Sequence, residues 1–229
     1  SAVAARPARW YQLSMSDEEP EAPEDASAQR ERYAAARQRM VDEQIEGRDI
    51  RNPAVLRAMR LVPRELFVPR ASRPYAYDDS PLPIPANQTI SQPYVVAYML
   101  ETLDLGPDDR VLEVGTGSGY AAALHDTPAS EIYTVERHAT LVDYARKRLA
   151  AAGYDNVRVH HGDGTRGWPE YAPYNGIIVA AGGPAVPESL RTQLAVGGRL
   201  VMPVGRNKRQ QHLVLLTRLS LDEYDEAQL

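Results

Sequence analysis

Apolar positions along the chain follow two spacings that take turns. Val111, Leu112 and Val114, then Glu131 to Val135, Val157 to His160, Gly176 to Ala181, Arg199 to Val204 and His212 to Leu219 are short apolar runs of the kind that form strands buried on both faces. Between them Leu141, Val142, Ala145 and Leu149 recur at helical spacing, with Arg146, Lys147 and Arg148 placed favourably near the negative end of the helix dipole. A helix from near Tyr120 and another over Pro187 to Leu194 keep up the alternation, which predicts an α/β fold with a doubly wound, mostly parallel Rossmann-like sheet. Ahead of the sheet the pattern is helical. Tyr33, Ala36, Met40, Val41, Gln44 and Ile45 line one side of a helix expected from Ala28 to Gly47. Asn52 and Pro53 read as the N-cap and first residue of a second helix that buries Val55, Leu56 and Met59. Pro93 opens a third, with Val96, Ala97, Leu100 and Leu103 towards the core. From Val62 to Pro85 the prolines at 63, 69, 74, 81, 83 and 85 speak against regular structure, while Leu66, Phe67, Tyr75 and Tyr77 offer apolar anchors. An irregular segment this long inside a compact domain is usually functional.

Composition narrows the class. The 229 residues are 43% hydrophobic, enough for one sizeable core, so a single catalytic domain is expected over residues 28–229, with helices and a substrate-side segment in 28–105 and a cofactor-binding sheet in 106–229. Residues 1–27 read as a flexible extension: Ser14 to Ser27 is rich in Asp, Glu, Pro and Ala, and Trp10, Tyr11 and Leu13 form a small apolar cluster before it. Ser1 to Leu13 lacks the continuous apolar core of a signal peptide, and the missing initial Met points either to processing or to an engineered N-terminus. A net charge of −5 gives no electrostatic reason to bind nucleic acid, and no apolar run is long enough to span a bilayer. The absence of cysteine rules out disulfides and thiolate metal sites; His160 and His161 are adjacent on a strand and point to opposite faces, so no metal site is expected.

The chemistry gathers at Arg110 to Tyr120, where a strand opens into the turn Gly115-Thr116-Gly117-Ser118-Gly119. Its glycines allow positive φ and close approach of a ligand. A dinucleotide turn is spaced Gly-x-Gly-x-x-Gly, whereas this one is a residue tighter, and Glu113 beside it would repel a diphosphate. A carboxylate there suits a cofactor with a cationic amino acid end and a sulfonium, which describes S-adenosylmethionine. Glu136, ending the next strand, stands where an acid accepts hydrogen bonds from ribose hydroxyls, or else caps the following helix. Asp163, in His161-Gly162-Asp163-Gly164 at the end of the third strand, is placed to reach an adenine amino group or is an ordinary turn aspartate. Ser91 stands at the entrance of the helix opened by Pro93, as an N-cap, a hydrolase nucleophile or a hydroxyl that positions a substrate. A hydrolase would want a histidine base and a Gly-x-Ser-x-Gly elbow, and neither is present around it.

Asn87-Gln88-Thr89-Ile90-Ser91-Gln92-Pro93, Leu112-Glu113-Val114-Gly115-Thr116-Gly117-Ser118-Gly119-Tyr120, Gly162-Asp163-Gly164 and Pro203-Val204-Gly205, with Met40 to Ile45 and Val62 to Pro69, together resemble the protein-L-isoaspartate O-methyltransferase family over roughly Arg37 to Leu219. The resemblance implies a class I methyltransferase fold, a cytoplasmic enzyme, and methyl transfer from S-adenosylmethionine, with S-adenosylhomocysteine as product, to L-isoaspartyl residues of damaged proteins. It implies Ser91 as the active-site serine and a cofactor site drawn from Thr89, Glu113, Gly115, Thr116, Gly117, Ser118, Gly119, Glu136, Asp163, Gly164 and Gln211. A dedicated aspartate methyltransferase for one partner peptide and a non-catalytic binding module are the alternatives; the sequence does not give the oligomeric state. The chain departs from the family pattern at Asn175, where aspartate is usual, at Asp49, where glycine is usual, and in lacking a final Phe-Val-Pro-Leu strand, so either the chain is cut short or the C-terminal edge of its sheet is completed another way.

Overall fold

The computed structural model describes residues 26–125, 131–206 and 210–229. The cluster of Trp10, Tyr11 and Leu13 and most of the acidic stretch after it lie outside them. Helix α1, Ala26–Arg39, starts two residues before the expected Ala28 and continues through a π-helical turn, Met40–Ile45, and a 3-10 turn, Glu46–Arg48. It does not stop at Gly47: the reversal falls at Asp49, with φ 71°, the left-handed conformation that glycine adopts most easily. Helix α2, Pro53–Leu61, begins as the sequence predicts, with the Asn52 side chain accepting from the amides of Ala54 and Val55.

The proline-rich stretch is more ordered than expected. Two 3-10 turns, Arg64–Phe67 and Arg70–Tyr75, lead into a short antiparallel hairpin of β1, Leu82–Ile84, and β2, Gln88–Ile90. Pro83 pairs with Thr89 in this ladder, and three-residue strands leave proline tolerable at a sheet edge. Helix α3, Pro93–Leu103, follows. The segment is bound to α1 through a buried cluster, in which the Tyr77 hydroxyl donates to Glu65 and Arg37 reaches Tyr77 Oη at 3.1 Å.

The main sheet contains β3, Arg110–Val114, β4, Glu131–Glu136, β5, Val157–His161, β6, Tyr174–Val179, β7, Leu194–Val204, β8, His212–Arg218, and β9, Tyr224–Gln228. Their spatial order is β5-β4-β3-β6-β7-β8-β9; the first five in that order run parallel, and β8 and β9 are antiparallel. Helices α4, Tyr120–His125, α5, Ala139–Ala151, and the short α6, Glu188–Gln193, are the crossovers. Leu194, expected to end α6, instead starts β7. Strand β9 completes the edge that the sequence left open, as a hairpin with β8.

Alternation places the two cores. Val111, Ile178 and Val201 pack under α3 with Met99 and Leu103, while Leu112, Ile177 and Leu200 face the other layer with Leu190 of α6. Asn175 Oδ1 accepts from the Arg110 amide at 2.9 Å, so the amide oxygen serves as the acceptor at the foot of β3 without an aspartate's charge. Chain order reverses beside β3, which has β4 on one side and β6 on the other. Open α/β sheets bind ligands at the carboxyl end of such a strand.

Candidate active site

The glycine turn stands at that end. Gly115, Gly117 and Gly119 have φ of 94°, 53° and 89°, so all three use the left-handed freedom that motivated the sequence reading. Gly119 also lets α4 approach α5, since a Cβ there would meet Leu149 at 3.0 Å. The side chains between the glycines turn inward: Thr116 Oγ1 lies 2.6 Å from Thr134 Oγ1, and Ser118 Oγ accepts from the Tyr120 amide at 3.3 Å. Both are buried, which leaves the backbone of the turn as the surface a ligand would meet.

Three acids expected at the site sit at the ends of adjacent strands, in different environments. Glu113, on β3 between Thr134 and Ile178 in register, is 2% exposed and its Oε2 has no hydrogen-bond partner. Burial pushes its carboxyl up to about 8, against a hydrogen bond from Thr134 and with the charge of Glu136 adding to the rise. Glu113 is therefore held largely protonated at neutral pH, not as the free carboxylate expected from sequence. Glu136 is 5% exposed and accepts from the Gly117 amide at 3.0 Å and the His138 amide at 2.9 Å. It ties the turn to the end of β4, and the cap position of α5 is His138, without a side-chain cap bond. Asp163 is exposed; its Oδ1 caps the turn Gly164–Arg166 by accepting from the amide and hydroxyl of Thr165 at 3.0 and 2.8 Å, and these bonds hold its carboxyl below the usual range. Gly164 has a packing reason of its own, because a Cβ there would collide with Val114.

The other expected residues converge from outside the sheet. A Cβ on Gly182 would collide with the Gln211 amide, so Gln211 covers the loop after β6. Ile84 of the hairpin lies over the turn, with its Cδ1 3.6 Å from where a Gly117 Cβ would be, and Thr89 is exposed on the paired strand. Ser91 follows that strand directly. It is not the N-cap of α3: Gln92 holds that position, and the helix amide of Tyr94 is taken by Asp79 Oδ1 at 3.0 Å. Asp79 Oδ2 also accepts from Gln92 Nε2 at 2.8 Å and Arg48 at 2.6 Å. Behind Ser91, Arg64 Nη2 donates to its carbonyl oxygen at 2.8 Å, while the guanidinium carbon stands 4.9 Å from the centroid of the Tyr120 ring. Asp79, Arg64 and Thr134 were not singled out from sequence; Arg64 falls within the quoted Val62 to Pro69 match, and the other two carried no local signal.

His160 stacks on Trp168 and His161 Nε2 meets the Arg137 carbonyl, so the two rings do diverge. Among the described residues no group of three or more His, Cys, Asp and Glu side chains could hold a metal ion, and no helix is long and apolar enough to cross a membrane.

A glycine turn at the switch point of this sheet, with an orphaned buried acid beneath it, defines a class I S-adenosylmethionine-dependent methyltransferase. The profile of the protein-L-isoaspartate(D-aspartate) O-methyltransferase family matches residues 35–227. The chain belongs to that family. Protein-L-isoaspartate O-methyltransferase 1 of Rhodopseudomonas palustris (strain HaA2) is 58% identical over 197 residues, 86% of this chain and 80% of that protein. Protein-L-isoaspartate O-methyltransferase 2 of Pelobacter propionicus is 56% identical over 193 residues, 84% of this chain and 86% of that one. A solved protein-L-isoaspartate O-methyltransferase superposes with a TM-score of 0.71 at 30% identity, covering 80% of this chain and 60% of its own. A Plasmodium falciparum structure described as the same enzyme, in complex with S-adenosyl-L-homocysteine, shares the fold at a TM-score of 0.71 and 22% identity, covering 86% and 94%.

Proposed function

We propose that this chain methylates the free α-carboxylate of L-isoaspartyl residues in damaged proteins and peptides, in the cytoplasm, and so starts their repair. Family membership over residues 35–227 supports the reaction, and Ser91, which follows β2 directly and is relieved of capping α3 by Asp79, carries the assignment of roles. When bound, S-adenosylmethionine supplies a methyl group on a cationic sulfur. The orphaned Glu113 Oε2 fits a cationic amino acid end, and Glu136 and Asp163 each retain acceptor capacity for ribose and adenine. The backbone of Gly115 to Gly119 forms the floor, with Thr89 on the hairpin side and Gln211 over the loop after β6.

Ser91 donates its hydroxyl to one oxygen of the acceptor carboxylate and leaves the other facing the methyl. A carboxylate with a reference pKa of about 4 is already ionised, so no general base is required. Transfer brings a negative and a positive group together and neutralises both, so alignment and exclusion of water supply the rate. The neighbouring backbone amide nitrogen then attacks the ester carbonyl, and methoxide leaves with the amide proton as methanol; hydrolysis of the resulting succinimide returns part of the material as normal aspartate. That sequence needs no further residue of this chain.

Ser91→Ala is expected to lower methyl transfer to an isoaspartyl peptide by roughly tenfold to a thousandfold, with cofactor affinity nearly unchanged in calorimetry. Ser91→Asp is expected to be nearly inactive, because its carboxylate would repel the substrate's. Wild-type turnover in Ser91→Asp would remove Ser91 from the chemistry.

A further inference from the structure

Arg64 is fully buried, with 0% of its surface exposed, yet among the ion pairs of the described residues none includes it. The nearby carboxylates are committed elsewhere: Glu65 to Tyr77 and Arg37, and Asp79 to Arg48, Gln92 and the Tyr94 amide. Its Nε and Nη1 have no hydrogen-bond partner, and burial pulls its pKa below the usual value. A buried cation with two idle donors is an unfavourable core residue, and apolar replacements of such groups are often neutral or stabilising. The two contacts Arg64 does make join two different parts of the site. One is the Ser91 carbonyl at 2.8 Å, on the acceptor side; the other is the ring of Tyr120, the residue that follows Gly119 of the cofactor turn.

We propose that Arg64 is a positioning residue that fixes the Ser91 backbone against the glycine turn, and so sets the alignment of acceptor carboxylate and methyl donor. The proposal rests on the reading of Ser91 as the hydroxyl that orients the acceptor. Arg64 touches neither reactant; it acts through Ser91. Lysine keeps one donor that can reach the Ser91 carbonyl but loses the guanidinium contact with the Tyr120 ring, whereas methionine keeps volume and loses both. The half-buried Ser91 carbonyl can then be hydrated, so methionine need not weaken the fold.

The test uses the full chain with S-adenosylmethionine and an isoaspartyl peptide, and compares Arg64→Met, Arg64→Lys, Ser91→Ala and the double variant Arg64→Met/Ser91→Ala. Arg64→Met is expected to lower kcat by about tenfold to a hundredfold, keep cofactor Kd within about threefold, and unfold no earlier than the parent on heating. Arg64→Lys is expected to recover part of the lost kcat. In the Ser91→Ala background Arg64→Met should change kcat by less than about threefold, because the group it aligns is gone. Wild-type kcat in Arg64→Met, additive losses in the double variant, or failure of Arg64→Met to fold would each overturn the proposal, since all three follow from a merely structural arginine. The Ser91 reading has a separate readout: if Ser91→Ala retains full activity that reading fails, whereas a slow Ser91→Ala beside a fast Arg64→Met removes Arg64 alone.

Discussion

Glu113 carries the clearest difference between a residue's position and its state. The sequence places it one residue before the end of the strand that enters the glycine turn, and that position is right. Its charge was not legible, because burial depends on Thr134, Ile178 and the helices packed over β3, which lie far from it in the chain. With its carboxyl raised to about 8, the folded chain keeps a proton that the unfolded chain releases near 4.5. The folded state binds more protons in that window, so the contribution to stability is complete below about 4.5 and is lost as pH rises towards 8. Glu113→Gln cannot titrate. The melting temperature of the variant minus that of the cofactor-free parent is therefore expected to increase from pH 5 to pH 8, and two parallel curves by calorimetry would contradict the assignment. On the proposed role of Glu113, a cationic cofactor would displace the same proton, so in the parent its affinity is expected to rise over that range.

Among the elements, strands β3 to β8 and helices α2 and α3 were readable because each carries its own periodicity or cap, whereas β9 was not. The hairpin of β1 and β2 was not, since three-residue strands give too few alternations to register and proline dominates them. The N-cap alternative for Ser91 falls for a related reason: the acceptor for the start of α3 comes from Asp79, and a cap supplied from a distant turn leaves no trace beside the helix. Asp79 also joins α3 to the 3-10 turn after α1 through Arg48. Asp79→Ala is expected to destabilise the fold by about 1–3 kcal/mol in urea unfolding, the range for stranding a buried donor and losing a cap. An unchanged midpoint and slope would mean that Ser91 or water had taken over the amide.

For the molecule as a whole, the doubly wound, mostly parallel sheet and the family were carried by the glycine turn and the alternation around it, while the strand order and the route by which the N-terminal half reaches that turn became visible only in three dimensions. The segment that leads into Ser91 arrives as a hairpin whose three-residue turn, Pro85, Ala86 and Asn87, has φ of 59° at Ala86 and 54° at Asn87, and which pairs Leu82 with Ile90, Pro83 with Thr89 and Ile84 with Gln88. Such a turn works as a ruler. Exposed loop tips generally accept extra residues, and one alanine inserted between Leu221 and Asp222, in the exposed β8–β9 connection, is expected to leave kcat unchanged. The same alanine between Ala86 and Asn87 would slip the short ladder and turn Thr89 to the opposite face, for an expected fall in kcat of about a hundredfold or more with the main sheet intact by circular dichroism. Equal activity of the two insertions would refute this. The chain is thus free to vary in length at its far edge and bound to one length over the few residues that lead into Ser91.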